Sequence, residues 1–316
     1  MKFVLLENSR PGLLKERGVI DIGNVVRELG ARDGQEAIEA IITNLDAIRP
    51  ELSRLEQEGE VVPLSSVALQ APLPKPGKIL CMGGNYTEFG HRAPGPMWGF
   101  LKSSEAVIGP GGTVVLPPDD ANIFHHEAEL VLVFGRAGKD VKEEEAMEYV
   151  FGYTCGVDVS ARMPAAQGGG PPEFRAWRGV SAGKSFHTFA PIGPAIVTKD
   201  EVSDPQSLQI RLWVNDELRG DFNTSDMAHS IAKSIAFVSS FESFGPGDIL
   251  YTGTNHQGLG AMQDGDPITV NIDQVGNLRF RVRDPLKRKW ARGVDQQTAE
   301  DVRTGAGGPG RRKRPL

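Results

Sequence analysis

The 316-residue sequence predicts a predominantly β protein of the α+β class with a small N-terminal α/β module. Glycine (38) and proline (22) are numerous, which favours a turn-rich β protein over a helical bundle. Short aliphatic runs, alternating or continuous, recur between Gly, Pro and Asn punctuation. Helical spacing is confined to a few segments.

In chain order, Phe3–Leu6 and Val19–Ile22 read as strands around a Pro11-Gly12 turn. Ile38, Ile41, Ile42, Leu45 and Ile48 recur at helical spacing, with Pro50 following; this stripe is core rather than site. Residues 1–70 therefore form the N-terminal module, and the Pro-rich stretch 71–77 opens a main domain over 71–284. Lys78–Met82 reads as a buried strand running into Gly83-Gly84-Asn85-Tyr86, where glycine permits a tight turn. Thr87–Lys102 is irregular and lid-like in length. Val114–Leu116, the run ending in Val133 and the stretch Phe151–Val159 are strand-like. Lys142–Val150 reads as a helix with a solvated acidic face, and 165–178 as irregular. Leu208–Asn215 alternates as a strand into an Asn215-Asp216 hairpin turn. Asp226 is the expected N-cap of a helix to about Ser240, carrying Met227, Ile231, Ile235 and Val238 on one face and His229 as a surface or core residue. Residues 285–316 read as a basic, disordered tail.

Composition narrows the function. The net charge is −6, but residues from Pro285 onward carry nine Lys/Arg and three Asp/Glu, a balance of +6, leaving −12 for the body. An acidic body argues against nucleic acid as the main partner. Two cysteines, Cys81 and Cys155, cannot make a disulfide framework and fit a reducing compartment as buried thiols. The five-residue apolar run at the start is too short for a signal-peptide core, and no stretch approaches a membrane span. A cytoplasmic protein without a membrane partner is expected. No G-x-G-x-x-G follows a strand, so a dinucleotide enzyme is not expected.

The chemistry concentrates in His125-His126-Glu127-Ala128-Glu129, followed by aliphatic alternation. In a strand, residues i and i+2 share a face, so Glu127 and Glu129 project side by side. Two carboxylates in an apolar strand are costly unless a cation neutralises them. Asp158, on a second strand-like run, is the candidate third ligand. Three carboxylates without Cys suit Mg²⁺ or Mn²⁺, with Ca²⁺ a further candidate, rather than Zn²⁺. The competing reading is an exposed strand with a solvated acidic face and an unrelated Asp.

The ordered set HHEAEL, GYTCGVDVSAR, GKSFHTFAPIGP and GPGDILYTGT, preceded by Cys81–Tyr86 as a G-x-N-Y entry, resembles the fumarylacetoacetate hydrolase family over about residues 75–283. The resemblance implies a mixed β-roll domain, a divalent metal on Glu127, Glu129 and Asp158, and a 2-oxo or β-diketo acid substrate. It also implies a homodimer. It places Lys184 beside the metal, where an ammonium stabilises developing enolate charge. It makes Tyr86, Phe100, Lys102 and the Gly253-Thr254 loop substrate-contacting. Arg162 orients a carboxylate or forms a structural ion pair.

The acid/base equipment departs from the family pattern. Related hydrolases carry a His shortly after N-Y and a Glu three residues on; here Phe89 and Arg92 stand in those places, and His91 is displaced by two. His91 with Glu88 is one candidate base, His126 or His256 another, and a reaction without that base a third. His126, Met163-Pro164 and Asn255-His256 also differ from the usual residues around the substrate. Hydrolytic C–C cleavage of the acylpyruvate type is the leading expectation by family prevalence. Decarboxylation, isomerisation or dehydration of a 2-keto-3-deoxy sugar acid is the alternative, and a non-catalytic binding protein is less favoured.

Overall fold

The computed structural model describes residues 1–164, 182–306, 309–310 and 315–316. The irregular stretch expected over 165–178 lies outside the described residues. At the N-terminus, strands β1 (Lys2–Leu6), β2 (Pro11–Lys15) and β3 (Gly18–Asp21) form an antiparallel meander joined by β4 (Val61–Pro63) and β5 (Leu69–Gln70). Helices α1 (Gly23–Arg27) and α2 (Gly34–Glu58) pack on it. The expected stripe in α2 is buried, and Asp33 caps the helix by accepting the Glu36 N–H at 2.9 Å. Pro50 does not end α2: the helix continues to Glu58, with Leu52 fully buried. Core packing there outweighs the lost backbone hydrogen bond.

The main body follows. Its strands are β6 (Ile79–Gly83), β7 (Trp98–Lys102), β8 (Val107–Ile108), β9 (Thr113–Val115), β10 (Ile123–Phe134), β11 (Val150–Arg162), β12 (Ala190–Thr198), β13 (Gln209–Val214) and β14 (Glu217–Asn223). Helix α3 (Ile231–Phe241), β15 (Ile249–Tyr251), β16 (Pro267–Ile272), β17 (Gly276–Arg283) and helix α4 (Gln296–Thr304) complete the order. One mixed sheet runs β4-β3-β2-β1-β12-β11-β10-β15-β6-β7, and a second runs β14-β13-β16-β17-β9. The fold is the predominantly β, mixed-sheet architecture that the sequence predicts. Because β1 pairs with β12, the N-terminal strands extend the main sheet rather than forming a sheet of their own.

The centre is the β10–β11 pair. Every residue of β10 is buried, because one face meets the second sheet and the other closes over a cavity. That explains a strand with near-continuous apolar character from Leu130 to Phe134, each side chain worth roughly 1.5–3 kcal/mol on burial. The antiparallel register sets Glu127 opposite Asp158 and His125 opposite Ser160.

Two further local expectations are corrected, and one is refined. Asp226 belongs to a 3-10 turn, Thr224–Asp226; Ser230 caps α3 instead, accepting the Lys233 N–H at 3.1 Å, and His229 precedes that helix. The helix expected over 142–150 is present as a 3-10 helix, Glu143–Tyr149, which ends where Val150 enters β11. The described part of the C-terminal segment expected to be disordered is docked. Trp290 is buried edge-on against Phe124 with centroids 5.9 Å apart, and its Nε1 donates to the Asn122 carbonyl at 2.7 Å. Asp295 caps α4, and Gly305 ends it in the left-handed conformation that glycine adopts freely. Among the described residues, no helix is long and apolar enough to cross a membrane.

Candidate active site

Glu127 and Glu129 share a face of β10 by alternation, and cross-strand pairing puts Asp158 of β11 on that face opposite Glu127. All three are buried, and one carboxylate oxygen from each lies within 4.8 Å of the others. A one-residue register slip would put Val157 in place of Asp158, so the cluster is a product of register.

Cations surround it. Lys184 Nζ stands 2.5 Å from both Glu127 Oε2 and Asp158 Oδ2, and Lys102 Nζ stands 2.5 Å from Asp158 Oδ1. Arg162, on the same face of β11, bonds Glu127 through Nη2, and its Nε donates to His125 Nδ1 at 3.1 Å. Burial alone would raise the Glu127 carboxyl, but Arg162 and Lys184 outweigh it and hold it well below the usual range. Burial likewise opposes the Lys184 charge, and Asp158 and Glu127 overcome it, leaving the ammonium above its ordinary value. Glu129 differs. It accepts the Gly253 N–H at 2.5 Å, while burial, then the charges of Asp158 and Glu127, push its carboxyl well above the usual range. A buried all-oxygen donor set with one under-compensated carboxylate fits a hard divalent cation.

The backbone serves this cluster. Gly253 follows β15 at φ +94, and a Cβ there would stand 3.0 Å from the Asn85 Cβ. Asn85 holds the approach: its Nδ2 donates to the Thr252 carbonyl at 3.0 Å, and its Oδ1 accepts the His229 N–H at 3.0 Å. This residue of the G-x-N-Y element is thus a brace. Tyr86, expected to touch substrate, is instead core: it is buried edge-on against Phe222 at 5.2 Å and does not line the cavity. Its direction follows from the bridge to Met227, which turns the ring toward the second sheet.

The cavity above the carboxylates has a volume of about 660 Å³. Met82, Gly83, Trp98 and Phe100 line one side, and Arg162, Met163, Gly253 and Thr254 another. The Phe100 ring lies 5.2 Å from Lys184 Nζ. Lys102 is fully enclosed behind Asp158, so it acts on that carboxylate rather than on the cavity surface. Arg92 lines the opening, as do Gly305, Ala306, Pro309 and Gly310 of the C-terminal segment, which sequence reasoning did not place here.

The expected His91–Glu88 pair is not formed. His91 is exposed, outside the cavity lining, and touches Glu88 only through a backbone hydrogen bond of 3.3 Å. Glu88 is fully buried and turns to His256: Oε1 lies 2.6 Å from His256 Nδ1, and Oε2 accepts the His256 N–H at 2.9 Å. With Nδ1 facing the Glu88 carboxylate, His256 Nε2 faces the cavity, 3.8 Å from Glu127 Oε1. His126, on the other face of β10, sits at a small void with Ala128, Leu212 and Phe222; burial, then Arg219, lowers its pKa to about 3.

Comparison with known proteins identifies the family. The fumarylacetoacetate (FAA) hydrolase C-terminal family description matches residues 78–283. The chain is 36% identical over 243 residues to the mitochondrial oxaloacetate tautomerase fahd2 of Xenopus laevis, covering 73% of each chain. It is 37% identical over 233 residues to the mitochondrial oxaloacetate tautomerase FAHD2A of Homo sapiens, covering 70% of this chain and 71% of that one. The crystal structure of maleylpyruvate hydrolase from Sphingobium sp. SYK-6 in complex with manganese(II) ion and pyruvate superposes with a TM-score of 0.78 at 32% identity, covering 90% of this chain and 99% of that one. Family match, fold and the ordered carboxylates together place this chain in the fumarylacetoacetate hydrolase family.

Proposed function

We propose that this protein is a divalent-metal-dependent enzyme that moves a proton at the carbon next to the 2-oxo group of a 2-oxo acid, with keto–enol tautomerisation of an oxaloacetate-like acid as its reaction. The observation that carries this reading is the His256–Glu88 pair facing the three carboxylates across one cavity. Glu127, Glu129 and Asp158 are the ligand set, for Mg²⁺ or Mn²⁺. A cation there supplies Lewis-acid polarisation of the 2-oxo group. Among the described residues, three carboxylates stand against three cationic side chains, Lys102, Lys184 and Arg162, so a bound divalent ion leaves a net positive site. An anionic acid with developing oxyanion charge matches it.

His256 Nε2 accepts the proton from C3, and Glu88 steadies the imidazolium that forms. The same nitrogen returns the proton to the substrate oxygen, or the reverse, so the cycle consumes nothing. Lys184 fixes the orientation of Glu127 and Asp158 and adds positive charge beside the oxyanion. Phe100 packs against the Lys184 ammonium, and Thr254 and Arg162 bound the substrate space.

C–C hydrolysis of an acylpyruvate is the second reading, favoured by the structural likeness to maleylpyruvate hydrolase. There His256 would take its proton from water. Homodimerisation belongs to the proposal too: β7 is a sheet edge, and Trp98, Leu101 and Phe241 are exposed near it. The test is to strip the protein of metal, reload it with Mg²⁺ or Mn²⁺, and supply oxaloacetate enol, acetylpyruvate and fumarylpyruvate. Metal-dependent ketonisation without new acid products supports tautomerisation. Pyruvate plus a free acid moves the assignment to hydrolysis, and no metal-dependent turnover of any of them sinks both readings.

A further inference from the structure

Glu88 and His256 lie on different loops, and neither loop is held by regular pairing. Glu88 stands at φ +56, Phe89 at +60 and Gly90 at +77. Two successive non-glycine residues in the left-handed region are strained and persist only where their surroundings hold them. One carboxylate reaches both loops. Asp226 Oδ1 accepts the Thr87 hydroxyl, and Oδ2 accepts the Phe89 N–H at 3.1 Å and the Asn255 Nδ2 amide at 2.9 Å. Its bonds therefore fall on the neighbours of Glu88 on one side and on the neighbour of His256 on the other. The Asp226 carbonyl adds a bond from the Thr87 N–H at 2.9 Å.

The geometry points to Asp226 as a positioning residue: a clasp that locks the Glu88 loop to the His256 loop and so sets the proton-transfer pair. Asp226 does not line the cavity and touches no group that meets substrate. It sits on the Thr224–Asp226 turn ahead of α3, so the clasp is anchored in the scaffold rather than in either loop. Gln257 Nε2, donating to the Glu88 carbonyl at 2.6 Å, is a lesser second tie between the same loops.

The role rests on the proposed function only where turnover is read, so the test has two arms. In the activity arm, Asp226→Ala lowers kcat roughly 10–100-fold with KM within about twofold, the range of a lost supporting hydrogen bond. Asp226→Asn stays within about threefold of the parent, because its amide oxygen can accept from Phe89 and Asn255 while its nitrogen donates to Thr87. In a His256→Ala background, Asp226→Ala adds less than about threefold, since the clasp acts only through that imidazole. A merely structural residue would give the same loss in both backgrounds, and that outcome, or an unchanged kcat, overturns the proposal. The second arm needs no turnover. The His256 Nδ1 proton, held by buried Glu88, is followed by ¹⁵N-edited NMR in the metal-free protein. Its loss in Asp226→Ala, with the remaining spectrum folded, supports the clasp; its persistence at the parent shift and exchange rate overturns it. Failure of the function reading alone appears as absent turnover in the parent, with the second arm still decisive.

Discussion

Replacing Glu129 by Gln should move metal-free stability and metal affinity in opposite directions. Among the described residues, Glu129 is the triad member without a cationic side chain in hydrogen-bond contact: Lys102 and Lys184 bond Asp158, and Lys184 and Arg162 bond Glu127. Gln has almost the same volume and keeps an oxygen for the Gly253 N–H. It removes a buried acid that repels two neighbours, which is worth about 1–2 kcal/mol of metal-free stability, the scale of a relieved buried charge. At roughly 2–4 °C per kcal/mol for a chain of 150–250 residues, and less for a longer one, Tm rises by a few degrees. Metal binding loses a charged ligand at about 3–5 kcal/mol, a 10²–10⁴-fold rise in Kd. With Mn²⁺ at 100 times the parent Kd, the parent gains about 2.7 kcal/mol and the variant almost nothing. Scanning calorimetry with and without Mn²⁺, with Kd from titration calorimetry, should show the order inverting. A variant that keeps the parent's metal-induced shift would show that Glu129 is not a ligand, and a metal-free Tm lower by several degrees would show that its charge is not a burden on the fold.

Further expectations follow from other parts of the fold. His91→Ala, exposed and outside the cavity, should leave kcat/KM within about twofold, whereas His256→Ala should cost roughly 10²–10⁴-fold, the range for a lost general base; steady-state kinetics on both variants decides between them. Burial raises the Cys155 thiol from an ordinary value of 9.0 to about 12, so its contribution to stability is complete below pH 9 and declines by about 1.4 kcal/mol per pH unit between 9 and 12. Cys155→Ala should flatten that alkaline limb in denaturant titrations, and Cys155 should resist thiol reagents until the protein unfolds. Trp290→Ala should destabilise the protein by about 3–5 kcal/mol, because the ring is buried against Phe124; a change under about 0.5 kcal/mol in urea unfolding would mean the C-terminal segment does not dock.

How legible the site was depended on sequence distance. Glu127 and Glu129 needed only strand alternation, which operates over two residues. Asp158 needed the β10–β11 register, which a sequence does not display; its membership of the cluster came with the family resemblance. His256 and Glu88 are 168 residues apart and meet only because two loops converge, so His256 could be named as one alternative base but not paired. His91 attracted attention by proximity along the chain, yet the left-handed run Glu88–Gly90 turns Glu88 inward and leaves His91 in solvent. At the C-terminus, basic composition hid a readable helix: Asp295 as N-cap and Gly305 as terminator bracket α4. The Trp290 contact that anchors it is long-range, from a residue with no local pattern around it.

In the proposed function, His256, backed by Glu88 and facing the three carboxylates, transfers a proton at C3 of a 2-oxo acid. The most direct test incubates Mn²⁺-loaded protein with pyruvate or oxaloacetate in D₂O and follows deuterium entering C3 by NMR, beside His256→Ala carrying the same metal content. Exchange is expected in the parent, with a roughly 10²-fold or greater loss in the variant at equal metal occupancy. Equal exchange rates in both proteins would move the base elsewhere in the cavity.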